Sequence, residues 1–424
     1  MEPLEHLFRR EAGRMVATLT RIFGVANLAL VEDVVQDALC RALETWKIRG
    51  VPDDPAAWLM TTAKNRALDF LRREHTAHAF APQVSWHVES EQAIRSGIEL
   101  LDAAATITDD QLRMMFSCCS PRLTEESQIA LVLHILCGFS VAEIASAFLS
   151  RHDTVKKRIT RAKALLASSK RLFELSDADF AERLSSVQRA LYLLFSEGFH
   201  GSSTESAVRT ELCDAAMRLA ALLCENANTA TPATYALCSL MFLHAARLPS
   251  RLDQSGNFTQ LLDQDRSRWD QRLLCEGQRL LEASATGDEL TAYHVEAAIA
   301  SLHASARDAA STPWREIVSL YDLLMRVRPS PVVALHRALA IAQCDGPMRG
   351  LEEILAISDR DRLASYPFYS AALAELEMRN GQLAAARQHY REALALARNP
   401  TERRFLERRI AECGPAAAKD SPGK

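Results

Sequence analysis

The chain has 424 residues and a formal net charge of −4, with 48% hydrophobic and only 6% aromatic residues. At roughly 150 residues per domain, this length predicts two or three domains with substantial cores, and the abundance of Ala and Leu favours helices. Because no run of about 18 apolar residues occurs and the N-terminal stretch lacks the apolar segment of a signal peptide, a cytoplasmic protein without a membrane role is expected.

The ten cysteines form no recognisable metal or redox motif. None occurs as C-x-x-C, and the adjacent pair Cys118 and Cys119 does not match zinc-ligand spacing. Most lie on apolar faces of predicted helices, where buried reduced thiols are expected. The P-loop, zinc-protease and serine-hydrolase signatures are also missing. The sequence therefore predicts no enzyme, no catalytic residues, no metal site and no cofactor.

The N-terminal segment, residues 1–75, is predicted to be a small helical unit. Its predicted helices cover about 4–23, 30–46 and 55–74. A break rich in Gly, Pro and Asp separates the second helix from the third. Asp54 is the predicted N-cap of the third helix, since a capping Asp followed by proline is a common helix start.

Two of these helices combine a polar face with an apolar one. On the second helix, Asp33, Gln36 and Asp37 share a face that is predicted to be exposed, while valines and alanines occupy the opposite side. Trp58 of the third helix is expected in the core. The exposed residues of the third helix are mainly cationic: Lys64, Asn65, Arg66, Asp69, Arg72 and Arg73.

Residues 76–107 have weak periodicity and are predicted to be a linker. His75, His78 and His87 lie in this stretch or beside it. They could be metal ligands, but isolated histidines in a polar linker are more often simply solvated.

Residues 108–171 are predicted to form a second helical unit that ends in two short helices joined by a turn. Ser140 and Glu143 form a capping box at the start of the first helix. Apolar stripes are predicted at Val141, Ile144, Ala145 and Phe148, and at Val155, Ile159, Ala162 and Leu166. The second helix, from Thr154, carries on its other faces Lys156, Lys157, Arg158, Thr160, Arg161 and Lys163.

This arrangement is typical of a helix-turn-helix, which places its second helix in the DNA major groove. A merely solvated charged face is the alternative, although such faces normally mix both signs. Here Asp153 is the only nearby acid, in a chain that is acidic as a whole. The spacing alone leaves both interpretations open, because the turn lacks the glycine often found there.

From about residue 176 to residue 424 the sequence is predicted to be helical throughout, with Gly and Pro breakers that favour stacked helical hairpins. Residues 366–400 approximate one tetratricopeptide (TPR) unit. Its small and aromatic positions are Leu373 and Ala374, then Gly381 in the turn, then Ala386, Tyr390 and Ala393. An ordinary helical bundle is the alternative.

Several of these segments resemble a known family. Residues 31–39 (VEDVVQDAL), Trp46 and residues 57–73 (AWLMTTAKNRALDFLRR) strongly resemble region 2 of bacterial extracytoplasmic-function (ECF) sigma factors, and residues 109–171 resemble region 4. The runs 191–199, 263–270 and 330–336 resemble the subgroup with a long TPR-like C-terminal extension.

The resemblance implies an all-α fold in four parts. These are region 2 over 1–75, a linker over 76–107, the region 4 helix-turn-helix over 108–171, and a TPR-like regulatory domain over 176–424. It also implies that Asp33, Gln36 and Asp37 contact the clamp helices of the polymerase β′ subunit.

The resemblance further assigns the two cationic helices to two promoter elements. Lys64, Asn65, Arg66, Asp69, Arg72 and Arg73, with the loop 48–53, would act at the −10 element, where one base is extruded. The helix from Thr154 would read the −35 element. The basic run at residues 156–158 departs from the expected pattern, which leaves the promoter sequence open.

The expected function is that of a promoter-specificity subunit with core RNA polymerase and promoter DNA as partners. A regulatory protein is expected at the C-terminal domain, because helical repeats offer a large concave surface. The alternative is a helix-turn-helix regulator with a TPR-like sensor domain that does not join polymerase.

Overall fold

The computed structural model describes residues 2–78, 109–148, 150–168, 175–200, 208–364, 366–397 and 399–414. Across these ranges the chain forms 19 α-helices and no strands, so the predicted all-α fold is confirmed. None of the helices in these ranges is both long and apolar enough to cross a membrane.

The chain divides into two compact units, each formed from two separate stretches of sequence. Unit 1 comprises residues 1–195 and 214–229, and unit 2 comprises residues 196–213 and 230–424. The helices that lie wholly or mostly in unit 1 are α1 (Glu2–Phe23), α2 (Leu28–Arg49), α3 (Pro55–His78), α4 (Asp110–Cys118), α5 (Glu125–Leu136), α6 (Val141–Ala147), α7 (His152–Ala167), α8 (Asp177–Phe199) and α9 (Thr210–Glu225).

The ends of α2 and α3 follow from local chemistry. Gly50 ends α2 with a φ of 81°, in the left-handed region that favours glycine. Asp54 caps α3 as predicted, since its Oδ1 accepts the Ala57 N–H at 2.9 Å. α2 is longer than predicted, so residues 48 and 49 belong to its last turn and not to the loop. α3 extends to His78, and the rest of the predicted linker, with His87, lies outside the described residues.

The core of unit 1 depends on a close contact between α1 and α5. A Cβ at Gly13 of α1 would lie 1.9 Å from the carbonyl oxygen of Leu136, at the end of α5. Gln111 of α4 fills the space beside it and donates to the same carbonyl at 3.1 Å. Asp110 of α4 bonds α1 as well, accepting from Thr18 at 3.0 Å and pairing with Arg21 at 3.2 Å.

Unit 1 also includes most of α8 and α9, which lie beyond residue 176, where we expected the C-terminal domain to begin. Phe180 packs edge-on against Phe116 of α4, with ring centroids 4.9 Å apart. Arg183 donates to the Phe116 carbonyl at 3.3 Å, and Arg218 of α9 pairs with Asp109 at 2.6 Å. These two helices therefore cover α4 and belong to the body of unit 1.

Unit 2 is built mainly from helices after residue 230. They are α10 (Pro232–Ala245), α11 (Leu248–Arg251), α12 (Gln271–Ser284), α13 (Ala292–Ser305), α14 (Trp314–Val327), α15 (Pro331–Asp345), α16 (Pro347–Leu355), α17 (Pro367–Arg379), α18 (Leu383–Leu396) and α19 (Pro400–Glu412). Neighbouring helices pair as hairpins, of which α17 and α18 form the predicted TPR-like pair. Gly381 turns between them with a φ of 78°, and Ala374, Ala386, Tyr390 and Ala393 are buried where the two helices meet.

Helices separated by Gly and Pro breakers are expected in this part of the chain, but the stretch between α11 and α12 is longer and less helical than such a break. Residues 252–270 contain 3₁₀ turns and a single bridge from Leu252 to Phe258. Short polar side chains explain the difference, because they bond to nearby backbone groups in competition with the helix. Asp253 accepts the Ser255 N–H at 2.8 Å, and Asp265 accepts the Ser267 N–H at 3.0 Å.

We expect Gly13→Ala to destabilise unit 1 by about 1–3 kcal/mol, although alanine normally favours helix, because α1 and α5 have to move apart to admit the methyl group. Urea unfolding followed by circular dichroism measures this change. The matched control is Arg14→Ala on the exposed side of the same helix, which should change stability far less. Equal stability of the two variants would contradict the packing described here.

Candidate nucleic-acid interface

α6 and α7 form the predicted helix-turn-helix. The capping box is present: Ser140 Oγ accepts the Glu143 N–H at 3.2 Å, and Glu143 Oε2 accepts the Ser140 N–H at 2.8 Å. The apolar stripe of α7 is buried along its whole length, at Val155, Ile159, Ala162 and Leu166. α7 begins at His152, two residues before the predicted start. The apolar stripe fixes which face of α7 points outward.

The outward face of α7 carries most of the cations that the sequence singled out. The exposed members are Thr154, Lys156, Lys157, Thr160 and Arg161. Arg158 is half-buried. The Thr160 hydroxyl donates to the Lys156 carbonyl within the helix at 3.0 Å. The Thr160 oxygen is therefore available to other groups only as a hydrogen-bond acceptor. The exposed cations can approach phosphates or base edges without rearrangement of α7.

Lys163 differs from the other cations of α7, because it is paired with a carboxylate from another helix. Its Nζ lies 2.7 and 2.9 Å from the two carboxylate oxygens of Glu32 on α2. Both side chains are less than one third exposed. The pair bridges the helix-turn-helix and the N-terminal helices, and Lys163 is not presented to solvent in this arrangement.

The cationic face of α3 is partly engaged with α2. Asn65, Asp69, Arg72 and Arg73 are exposed, while Lys64 and Arg66 are half-buried. Arg66 Nε lies 3.0 Å from Asp37 Oδ2, and Arg41 lies 3.5 Å from the same oxygen. The structure thus brings together Asp37 and Arg66, which sequence reasoning placed on two different surfaces. Asp33 and Gln36 remain exposed beside them.

The end of α2 and the turn after it present apolar side chains to solvent. Ile48 is 86% exposed and Val51 is 51% exposed, on either side of Gly50. Among the large apolar side chains of the described residues, Ile48 is the most exposed. Ile48 and Val51 can pack against an unstacked base. The sequence located the loop but gave no sign of which of its side chains protrude.

Three aromatic side chains pack against one another next to this turn. Trp46 is buried, and its ring lies 5.3 Å from that of Trp58 and 5.5 Å from that of Phe8. Trp58 is expected in the core but is only half-buried, with its ring against that of Trp46. The aromatic contacts fix the start of α3 relative to the end of α2.

In the part of the chain that the structure describes, no group of three or more His, Cys, Asp or Glu side chains is placed to hold a metal ion. Six of the ten cysteines are buried free thiols: Cys118, Cys119, Cys137, Cys213, Cys238 and Cys413. Burial raises the pKa of Cys119 and of Cys137 to about 12. The thiols of Cys119 and Cys137 are therefore protonated and unreactive near neutral pH.

Comparison with known families matches three parts of the chain. The model for sigma-70 region 2 matches residues 7–76, and the model for sigma-70 region 4 matches residues 113–166. Residues 183–285 match a family of unknown function, DUF6596. The first match covers α2 and α3, and the second covers α6 and α7.

An uncharacterized protein of Rhizobium meliloti (strain 1021), R00370, is 37% identical to this chain over 387 residues. The similarity covers 91% of this chain and 90% of that protein. No solved structure matches the chain.

Proposed function

The chain is an ECF sigma factor with a C-terminal extension, and we propose that it binds core RNA polymerase through α2 and reads two promoter elements through α3 and α7. Sigma factors act in transcription initiation as DNA-binding regulators and are not enzymes. The observation that carries the proposal is the order of the two regions along the chain, each with an exposed cationic helix.

The polymerase contact is proposed for the exposed acidic face of α2. Asp33 and Gln36 are exposed, and Asp37 is half-buried beside Arg66 and Arg41. Carboxylates on such a face can pair with basic groups of the β′ clamp helices. The two arginines hold the Asp37 carboxylate in one place before the polymerase arrives, which lowers the ordering cost of the contact.

The −10 contact is proposed for α3 and the turn before it. Lys64, Arg66, Arg72 and Arg73 would contact phosphates of the separated strands. Asn65 and the 48–53 segment would contact the extruded base, with Ile48 and Val51 beside it. Asp69 lies 3.8 Å from Arg72, and both side chains are exposed, so this weak pair can orient Arg72 without immobilising it.

The −35 contact is proposed for the outward face of α7 in the major groove. Lys and Arg side chains there can bind guanine edges, although most such contacts go to phosphate. Thr154, Lys156, Lys157, Arg158, Thr160 and Arg161 are placed for this role. Lys163 can join them only after its pair with Glu32 breaks.

Promoter binding also requires unit 1 to open. The centres of the two elements are about 25 base pairs apart, or about 85 Å at 3.4 Å per base pair. A compact body of about 200 residues is only about 45 Å across. We infer that the α1–α5 contact and the Glu32–Lys163 pair break on binding.

The C-terminal extension is proposed to regulate the protein in cis or to bind a regulatory protein. Helical hairpins of the kind formed by α15 to α18 provide a surface for such contacts. A simple deletion after residue 175 would not test this role, because it removes the parts of α8 and α9 that cover α4. The regulatory role has to be tested in the full chain.

We predict that Asp33→Lys with Asp37→Lys abolishes binding to core polymerase, because like charges would then face the basic partner surface. Co-elution of the purified chain with core polymerase and run-off transcription from genomic fragments measure this. The control reverses two exposed acids of unit 2, Asp288→Lys with Glu289→Lys, with the same change in net charge.

Loss of binding in the α2 variant alone, with its helix content intact, supports the polymerase contact. Promoter DNA binding by the wild type without any complex or transcript above the core background would contradict it. That result would instead identify a helix-turn-helix regulator that acts without polymerase.

We predict that Lys156→Ala with Arg161→Ala weakens binding to promoter duplex and reduces the slope of log K against log [salt] by about two, since about 0.9 counter-ions are released per phosphate contact. Fluorescence anisotropy at several salt concentrations measures both quantities. Arg307→Ala with Arg326→Ala, two exposed cations of unit 2, is the control with equal loss of charge. An equal change in slope for both pairs would contradict the assignment of α7.

A further inference from the structure

Unit 2 contains two buried arginines that follow α10 and lie one helical turn apart. Arg247 is 9% exposed and Arg251 is 8% exposed. Both guanidinium groups lie against the ring of Phe199, with Cζ 5.8 Å and 4.1 Å from its centroid. They therefore belong to one cluster.

Within the described part of the chain, neither guanidinium has a carboxylate partner. Arg251 makes only ring contacts with Phe199 and with Phe258, at 5.4 Å, and its buried Nε has no hydrogen-bond acceptor. Arg247 Nε donates to the neutral Gln264 at 3.3 Å, and its nearest other partner is the His244 ring, 3.5 Å away.

Two other arginines of unit 2 have close oxygen acceptors for their guanidinium groups. Arg209, which is equally buried, lies 2.6 Å from the carboxylate of Glu197. Arg266 is near the cluster, and it donates to the carbonyls of His303 and Ala306 at 2.7 and 2.6 Å. Arg247 and Arg251 differ from these two in the described residues, because neither has a carboxylate or a carbonyl oxygen as a close partner.

Both arginines are charged near neutral pH despite their burial. Burial and the neighbouring charges of Arg251 and Arg266 lower the pKa of Arg247 to about 9, and burial lowers the pKa of Arg251 to about 10. Two buried positive charges without a counter-ion destabilise a fold, because their ring contacts offset only part of the desolvation and none of the repulsion. An anion between them would remove both costs.

Imidazole and aromatic side chains surround the cluster and connect it to solvent. The His200 and His244 rings lie 4.8 and 5.2 Å from the Phe199 ring. Burial lowers the pKa of His244 to about 3, so this ring is neutral and adds no charge of its own. His200 is exposed, and Phe368, whose ring lies 6.4 Å from it, is 40% exposed. The ring contacts therefore run from the buried arginines to the surface of unit 2.

We propose that Arg247 and Arg251 form the base of a binding site in unit 2 for a small organic anion, which places a carboxylate or phosphate group between them. The planar guanidinium fork suits both oxyanions. Because the two groups are so little exposed, only a small head group can reach them. The exposed ring of Phe368 suits an aromatic remainder of the ligand. The site does not depend on the proposed polymerase and promoter contacts.

The test uses the full chain and three probes, namely inorganic phosphate, phenyl phosphate and benzoate, titrated at constant ionic strength against chloride. We expect each probe to raise the melting temperature saturably, with phenyl phosphate or benzoate acting at lower concentration than phosphate. Arg251→Gln should weaken binding at least about tenfold, the effect of losing charged hydrogen bonds. The control, Arg268→Gln, alters an exposed arginine of the same unit and should bind as the wild type does.

Phenyl phosphate acting alone would assign a phosphate ligand, and benzoate acting alone would assign a carboxylate. An equal response of the wild type and Arg251→Gln, or no saturable response to any probe, would overturn the proposal. Hydrogen exchange of the wild type covers the case in which Arg251→Gln does not fold. Phenyl phosphate or benzoate should slow exchange in peptides covering residues 244–252, and unchanged exchange there would also overturn the proposal.

Discussion

Gly13 of α1 lies so close to the Leu136 carbonyl that a side chain there would overlap the backbone of α5. This approach lets α4 and α5 pack on α1, with Gln111 and Asp110 adding the hydrogen bonds that hold the helices together. The contact joins the sigma region 2 helices and the region 4 helices into one body. α3 and α7 keep exposed cations within that body, but they cannot reach two elements about 85 Å apart. The contact that stabilises the free protein therefore opposes its proposed function. Binding to polymerase and promoter has to supply the free energy that breaks this contact.

The cations of the two units differ in whether a carboxylate neutralises them in the free protein. In unit 1, Lys163 is neutralised by Glu32 and Arg66 by Asp37. Each pair includes a candidate contact residue, and both are partly exposed, so they are weak enough to exchange for DNA phosphate or polymerase side chains. In unit 2, Arg209 has a buried carboxylate partner in Glu197, whereas Arg247 and Arg251 have no carboxylate partner in the described residues. This arrangement destabilises the unbound fold, and a protein can retain such destabilisation at a site where ligand binding offsets it.

Much of this structure follows from spacing over a few residues. The Asp54 cap, the capping box of Ser140 and Glu143, and the buried stripe of α7 depend on neighbours within one or two turns, so the sequence alone predicts them. The glycine turn between α17 and α18 follows in the same way. What could not be predicted depends on contacts between distant positions. Lys163 and Glu32 are 131 residues apart, and the need for glycine at residue 13 exists only because α5 packs there. Nor does any local pattern show that Arg247 and Arg251 are buried without a carboxylate partner in the described residues.

The central claim is that one chain places α3 and α7 on two separate promoter elements when it is bound to core polymerase. The most direct measurement tethers an iron chelate to a single accessible cysteine at Thr61 of α3 or at Ala164 of α7, both exposed, after the exposed or partly exposed Cys40, Cys224, Cys275 and Cys344 are changed to serine. Cleavage of promoter DNA is then mapped in the polymerase complex. We predict two separate groups of cuts, with those from Thr61 about 25 base pairs downstream of those from Ala164. Overlapping cuts from the two tethers, or the same cuts without polymerase, would contradict the account.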